Sequence, residues 1–209
     1  MKPIALVFGG SRGIGAACVD ALRNEFDVAF TFVSSGAAKG GHRADVQNPA
    51  EVKAVFDAVE REYGRKVDCV VVNAGINVPP GPMAQFDPGI FRKLVDVNIV
   101  GAFNVLGEAA RRVADGGSIL AITSSLVRHA APGLGPYSAT KAAVESLVRS
   151  MAKELAPRKV RVNAVAPGPV DTDLFHAGKT DEAKARMAAL SPFNRIGRPQ
   201  EVAEVVAFL

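Results

Sequence analysis

The chain has 209 residues, 48% hydrophobic and 22% charged, with 20 glycines and no tryptophan, which fits one soluble globular domain with a substantial core. Its formal net charge of +4 comes from scattered Lys and Arg, the pattern of solvated helix faces rather than of a nucleic-acid surface. Two cysteines without a CxxC pair and three histidines exclude a disulfide framework and a metal cluster, and no apolar stretch reaches membrane-spanning length.

Ile4 to Phe8 is an apolar run between Pro3 and Gly9-Gly10, as in a strand buried on both faces. Gly13 to Arg23 reads as a helix and Val28 to Val33 as a second strand. Pro49 to Tyr63 reads as a helix with Asn48 at its N-cap. Val67 to Val72 is another buried strand, ending at Asn73-Ala74-Gly75. A long helix is predicted over Phe91 to Val113, a strand over Ser118 to Thr123, and a helix over Tyr137 to Leu155. Val160 to Val165 is a strand closed by Pro167-Gly168, and Asp181 to Leu190 and Glu201 to Leu209 are helical. Strands alternating with helices imply repeated βαβ units: an α/β fold with a doubly wound parallel sheet. Cys18 and Cys69 fall in apolar segments and suit small core residues in a reducing compartment. With no leader visible before the first strand, a cytoplasmic location is expected.

The first strand runs into Gly9-Gly10-Ser11-Arg12-Gly13-Ile14-Gly15 and then a helix. Glycines permit the tight turn and let the backbone approach a pyrophosphate, which helix-start N–H groups bind. On its own the pattern also fits a glycine-rich turn without a ligand. The spacing Gly9-x3-Gly13-x-Gly15 resembles the loop of the short-chain dehydrogenase/reductase family, although Phe8 stands where that family usually has Thr. No Asp or Glu lies between Phe30 and Lys39, where a carboxylate would bind the ribose 2′-OH of NAD. With Arg12, Ser34 and Ser35 nearby, NADP(H) is the expected cofactor and NAD(H) the alternative.

Tyr137-Ser138-Ala139-Thr140-Lys141 sets a phenol and an ammonium four residues apart on one helix face. A neighbouring cation is expected to lower the phenol's pKa toward the working range of an acid–base catalyst. Ser124 lies thirteen residues earlier, at a strand's carboxyl end, where open α/β sheets place their sites. By the family resemblance, Ser124 rather than Ser125 holds the substrate oxygen, Tyr137 exchanges the proton, and Lys141 also holds the nicotinamide ribose. The same resemblance gives Asn98 a place in a proton relay to the lysine. It sets Asp45 and Val46 against adenine, Asn73, Ala74 and Gly75 beside the adenine-side ribose, and Pro167, Gly168, Val170 and Thr172 along the nicotinamide. The implied activity is reversible hydride transfer between NADP(H) and a carbonyl or alcohol, with a 3-oxoacyl thioester as the first substrate class. The mild basic charge suits an anionic cofactor or a phosphopantetheine-bearing partner. A homo-oligomer, dimer or tetramer, is implied too.

Two departures from the family stand out. Only nine residues, Ser34 to His42, separate Val33 from Arg43, fewer than a helical crossover needs, so a loop and a strand stub around His42 to Val46 are expected. The chain stops at Leu209 in a helix, where relatives continue to a last strand; the single domain over residues 1–209 therefore reads as C-terminally incomplete, with an exposed sheet edge. Phe175, Met187, Leu190 and Phe193 are expected on the core face of a helix, with a substrate pocket as the other reading. A cofactor sensor without catalysis is the competing class, and an NAD-dependent dehydrogenase a third.

Overall fold

The computed structural model describes residues 1–34, 40–177 and 179–209; Ser35 lies outside the described residues. Six parallel strands make one sheet: β1 (Ile4–Phe8), β2 (Asp27–Phe32), β3 (Gly41–Arg43), β4 (Cys69–Val72), β5 (Ser118–Ile122) and β6 (Arg161–Val165). Their order is β3-β2-β1-β4-β5-β6. The winding direction reverses between β1 and β4, the switch point at which doubly wound sheets bind ligands.

Strand alternation builds two core layers. Ala5 and Val7 face α1 (Gly13–Leu22) with Cys18, Val19 and Phe30, and Val202 and Val206 join this cluster from the C-terminal helix. Ile4, Leu6 and Phe8 face α2 (Pro49–Tyr63) and two further helices, among Phe56, Val105, Val144 and Val148. Both faces of β1 are covered, and for that reason its sequence is apolar throughout. Cys18 and Cys69 are buried and free, as expected of core residues.

The long central helix starts earlier than its apolar pattern suggests. Asp87 accepts from the Ile90 N–H (2.7 Å) and caps α3 (Pro88–Val95), whose first residue is Pro. A π-helical turn, Asp96–Gly101, then leads into α4 (Ala102–Arg112). The last carbonyls are capped by Arg158, which donates to Ala110 O and Val113 O. α5 (Gly135–Glu154) lies along β5 and β6, and α6 (Asp173–His176), α7 (Asp181–Ala188) and α8 (Pro199–Phe208) follow.

The β2–β3 stub forms, but over Gly41–Arg43 rather than His42 to Val46. Asp45 causes the early stop: its carboxylate accepts from Gln47 N (3.0 Å), folding the chain away from the sheet toward Asn48, whose Oδ1 caps α2 through Ala50 N. At the other edge β6 has no further strand beside it among the described residues. The expected core face near the end is not there. α7 buries no residue, and Leu190 and Phe193 are 76% and 81% exposed, although Phe175 is buried. No helix among the described residues is long and apolar enough to cross a membrane.

Candidate active site

The carboxyl ends of β1, β4, β5 and β6 converge at the switch point, each followed by a segment that the sequence singled out. After β1, Gly9 has φ +79°, and a Cβ there would sit 2.8 Å from Ala74 Cα. A Cβ on Gly15 would sit 2.0 Å from Gly9 O. Only glycine lets the loop fold this tightly against β4 and the helix start. No side chain caps α1, whose N-cap is the exposed Arg12, so its first N–H groups remain open to an anion. Ser11 and Ile14 are half-buried in the same loop, and Ser34 is exposed beyond β2.

The segments brace one another. Asn73 Nδ2 donates to Gly9 O (2.8 Å), so this amide braces the glycine loop against the segment after β4. A Cβ on Gly75 would meet Asn98 Oδ1 at 3.2 Å and Lys141 Nζ at 3.5 Å, and one on Gly13 would meet Thr172 Cγ2 at 3.2 Å. Thr172 caps α6 through Phe175 N (3.2 Å), Val170 is buried, and Pro167 O accepts from Ser125 N (2.9 Å), with Gly168 exposed between them.

Val46 follows Asp45 just beyond β3. Its side chain is buried in the core beside Gly101 and its carbonyl accepts from Asn104 Nδ2 (2.9 Å). Asp45 remains half-buried at the rim, its carboxylate held by Gln47.

Ser124 follows β5, buried, at the start of a 3-10 turn over Ser125–Val127, and its Oγ accepts from Leu126 N (3.3 Å). Ser138 Oγ donates to Leu126 O (2.7 Å), clasping the start of α5 to that turn. This places the Tyr137 phenol near Ser124, whose hydroxyl acts on its acidity. Burial pushes the Tyr137 phenol up to about 12, and the nearby Ser124 hydroxyl only partly opposes it. The expected lowering by Lys141 is therefore overturned in the ligand-free chain. The Lys141 ammonium stands 6.0 Å from the ring centroid, and desolvation dominates. The result is a phenol that keeps its proton at neutral pH.

Lys141 is itself buried, which pulls its ammonium down to about 8. It donates to Ile122 O (2.9 Å) and has no carboxylate partner among the described residues. Asn98, 1% exposed, lies in the π-helical turn. Its Oδ1 accepts from Ile76 N (2.8 Å), and its Nδ2 donates to Ile76 O (2.9 Å) and Thr140 Oγ1 (3.1 Å). These bonds join the segment after β4 to the helix bearing Tyr137 and Lys141, and π-helical turns recur at functional sites.

A family model described as enoyl-(acyl carrier protein) reductase matches residues 9–209. A solved short-chain dehydrogenase/reductase from Serratia marcescens superposes with a TM-score of 0.89 at 33% identity, covering 99% of this chain and 89% of that one. The chain belongs to the short-chain dehydrogenase/reductase family. A short-chain dehydrogenase from Burkholderia cenocepacia in complex with NADP is similar at a TM-score of 0.88 and 31% identity, over 99% of this chain and 89% of that one. An NADPH-dependent aldehyde reductase-like protein, chloroplastic, from Arabidopsis thaliana is 38% identical over 99% of this chain and 86% of its own length.

Two supports of this short-chain dehydrogenase/reductase site escaped the sequence reading. Thr31, on β2, accepts from Gly9 N through its hydroxyl (3.0 Å). It supplies the bond lost by Phe8, which is instead buried against Phe56, ring centroids 5.8 Å apart. Thr140 is fully buried and donates to Tyr137 O (2.7 Å) while accepting from Asn98. A hydroxyl directly before Lys141 was its only signal in the sequence.

Proposed function

We propose that residues 1–209 act as one dinucleotide-binding and catalytic unit, an NADP(H)-dependent oxidoreductase that interconverts a carbonyl and an alcohol. The observation that carries this reading is the cluster of Ser124, Tyr137 and Lys141: a proton-bearing phenol near a serine hydroxyl, with a buried ammonium one helical turn away.

The chain's own groups fit the cofactor. The glycine cradle and the uncapped start of α1 suit a pyrophosphate, through the backbone of Gly9, Ser11, Arg12, Gly13, Ile14 and Gly15. The absence of any carboxylate between Phe30 and Arg43 suits a 2′-phosphate better than a free hydroxyl. Asp45, Ala74 and Gly75 border the adenosine side, and Pro167, Gly168, Val170 and Thr172 the nicotinamide side. Bound NADPH would supply a hydride to the carbonyl carbon.

The protein's part is orientation and a positioned acid. Ser124 Oγ–H holds the substrate oxygen and Tyr137 Oη gives that oxygen its proton. The Lys141 ammonium stabilises the phenolate so formed and has donors left for ribose hydroxyls. Asn98 and Thr140 fix the helix register that sets these distances, and Asn98 stands beside the route by which the proton returns to Lys141. Oxidation of an alcohol runs the same steps backward. A 3-oxoacyl thioester is the first substrate class to test, and aldehydes the next. Exposed Ile90, Phe91, Val100 and Phe103 on and between α3 and α4 support a homo-oligomer.

The test is Tyr137→Phe. Turnover of NADPH with a carbonyl panel falls by about 10²–10⁴-fold while NADPH binding persists. Unchanged turnover in the variant, or a wild-type chain that binds NADPH and reduces nothing, assigns the site to a cofactor sensor instead.

A further inference from the structure

We propose that Arg43, on β3 beside the carboxyl end of β2, reads the 2′-phosphate of NADP(H). The inference rests on the NADP(H) reading above and names the side chain that makes the selection.

Parallel pairing sets Phe30 beside Gly41 and Phe32 beside Arg43. Partners in this register share a face of the sheet. A Cβ on Gly41 would meet the Phe30 ring at 2.7 Å, and one on Gly10 would meet Phe30 Cβ at 2.5 Å. The face that carries Arg43 is therefore the face of the glycine loop and α1. Gly40, at φ +87°, turns the chain directly into β3, so Arg43 arrives level with the last residue of β2. Its Nε donates to Val33 O (3.4 Å), laying the guanidinium over the carboxyl end of β2.

That strand end is where doubly wound folds meet the adenosine ribose, and where a carboxylate would select NAD. Here the charge is of opposite sign. Arg43 is exposed and makes no ion pair among the described residues. The two nearest downstream carboxylates in sequence are already engaged: Asp45 by Gln47, and Glu51 by Asp45 N (2.8 Å) and Asn48 Nδ2 (2.9 Å). A planar guanidinium whose Nη groups have no partner among the described residues matches phosphate oxygens in pairs. Ser34, next to Val33 and exposed, adds a hydroxyl. Arg12 is a second exposed cation, at the start of α1.

The experiment titrates NADPH, NADH and adenosine 2′,5′-bisphosphate into the full chain and into Arg43→Ala, Arg43→Gln, Arg43→Glu and Arg12→Ala, with thermal melts to confirm folding. Arg43→Ala and Arg43→Gln lose about tenfold in affinity for NADPH and the bisphosphate, and keep NADH within about twofold. Arg43→Glu shifts the preference toward NADH. A wild-type chain that binds NADH as tightly as NADPH overturns the NADP(H) reading and this inference together. A wild-type preference that survives Arg43→Ala and Arg43→Gln overturns the inference alone, as does an equal loss of both cofactors.

Discussion

Replacing Lys141 with Met should make the ligand-free protein more stable while destroying its activity. The Lys141 ammonium is buried and its pKa drawn from 10.5 to about 8, with burial as the cause. Below pH 8 both the folded and the unfolded chain carry the charge, and the fold bears the whole desolvation cost. At about 1.4 kcal/mol per pKa unit this is about 3 kcal/mol. Between 8 and 10.5 the folded protein has released a proton that the unfolded chain still holds, so stability rises with pH. Above 10.5 both forms are neutral and the cost is gone. Met fills much of the same space without charge but leaves Ile122 O unpaired, a loss of about 1 kcal/mol. Lys141→Met therefore gains about 2 kcal/mol at neutral pH, and loses that gain above pH 10.5. With a urea m-value of about 2 kcal/mol/M, the unfolding midpoint rises by about 1 M. Urea titrations at neutral pH and above pH 10.5 measure it directly. A variant less stable than wild type at neutral pH, or a difference independent of pH, refutes the reasoning. Sites that need a buried charge commonly give up stability in this way.

Gly15→Ala forces the loop apart, because its Cβ would lie 2.0 Å from Gly9 O; NADPH affinity should fall by more than about tenfold with circular dichroism unchanged, and normal binding would contradict the cradle. Thr31→Val leaves Gly9 N–H without its 3.0 Å partner; it should cost about 1–2 kcal/mol in urea titrations and weaken NADPH binding, and a wild-type midpoint would count against the bond. Asn98→Ala unpairs Ile76 N–H and C=O; a loss of about 2–4 kcal/mol and reduced turnover are expected, and a change in turnover without a change in stability would show that Asn98 acts only on the proton.

Much of the fold was legible because its determinants are local or periodic. β1 is an uninterrupted apolar run and β5 is apolar after Ser118, and α2 carries its own punctuation, Asn48 before it, Pro49 at its first position and Gly64 (φ +67°) after it. The π-helical turn was not legible. It accompanies hydrogen bonds from Asn98 to Ile76 and Thr140, partners 22 and 42 residues away. The phenol's shift was misjudged for a related reason. Spacing shows that Lys141 is one turn from Tyr137, but only the packing shows how much water both groups lose. Leu190 and Phe193 lie exposed after α7, which buries no residue, so hydrophobicity alone did not place them. Within the site, the grouping of Ser124, Tyr137 and Lys141 was implied by the family resemblance of their motifs, whereas Thr31 required the pairing of β1 with β2 to be seen.

Direct hydride transfer is the central claim, and isotope transfer tests it most closely. The purified chain is incubated with NADPH deuterated at the transferable hydrogen of the nicotinamide and with 3-oxoacyl thioester and aldehyde probes, and the alcohol products are read by mass spectrometry. The account predicts a product carrying one deuterium on the former carbonyl carbon, absent when Tyr137 is replaced by Phe. Products without deuterium, or no product from any carbonyl despite bound NADPH, would contradict it.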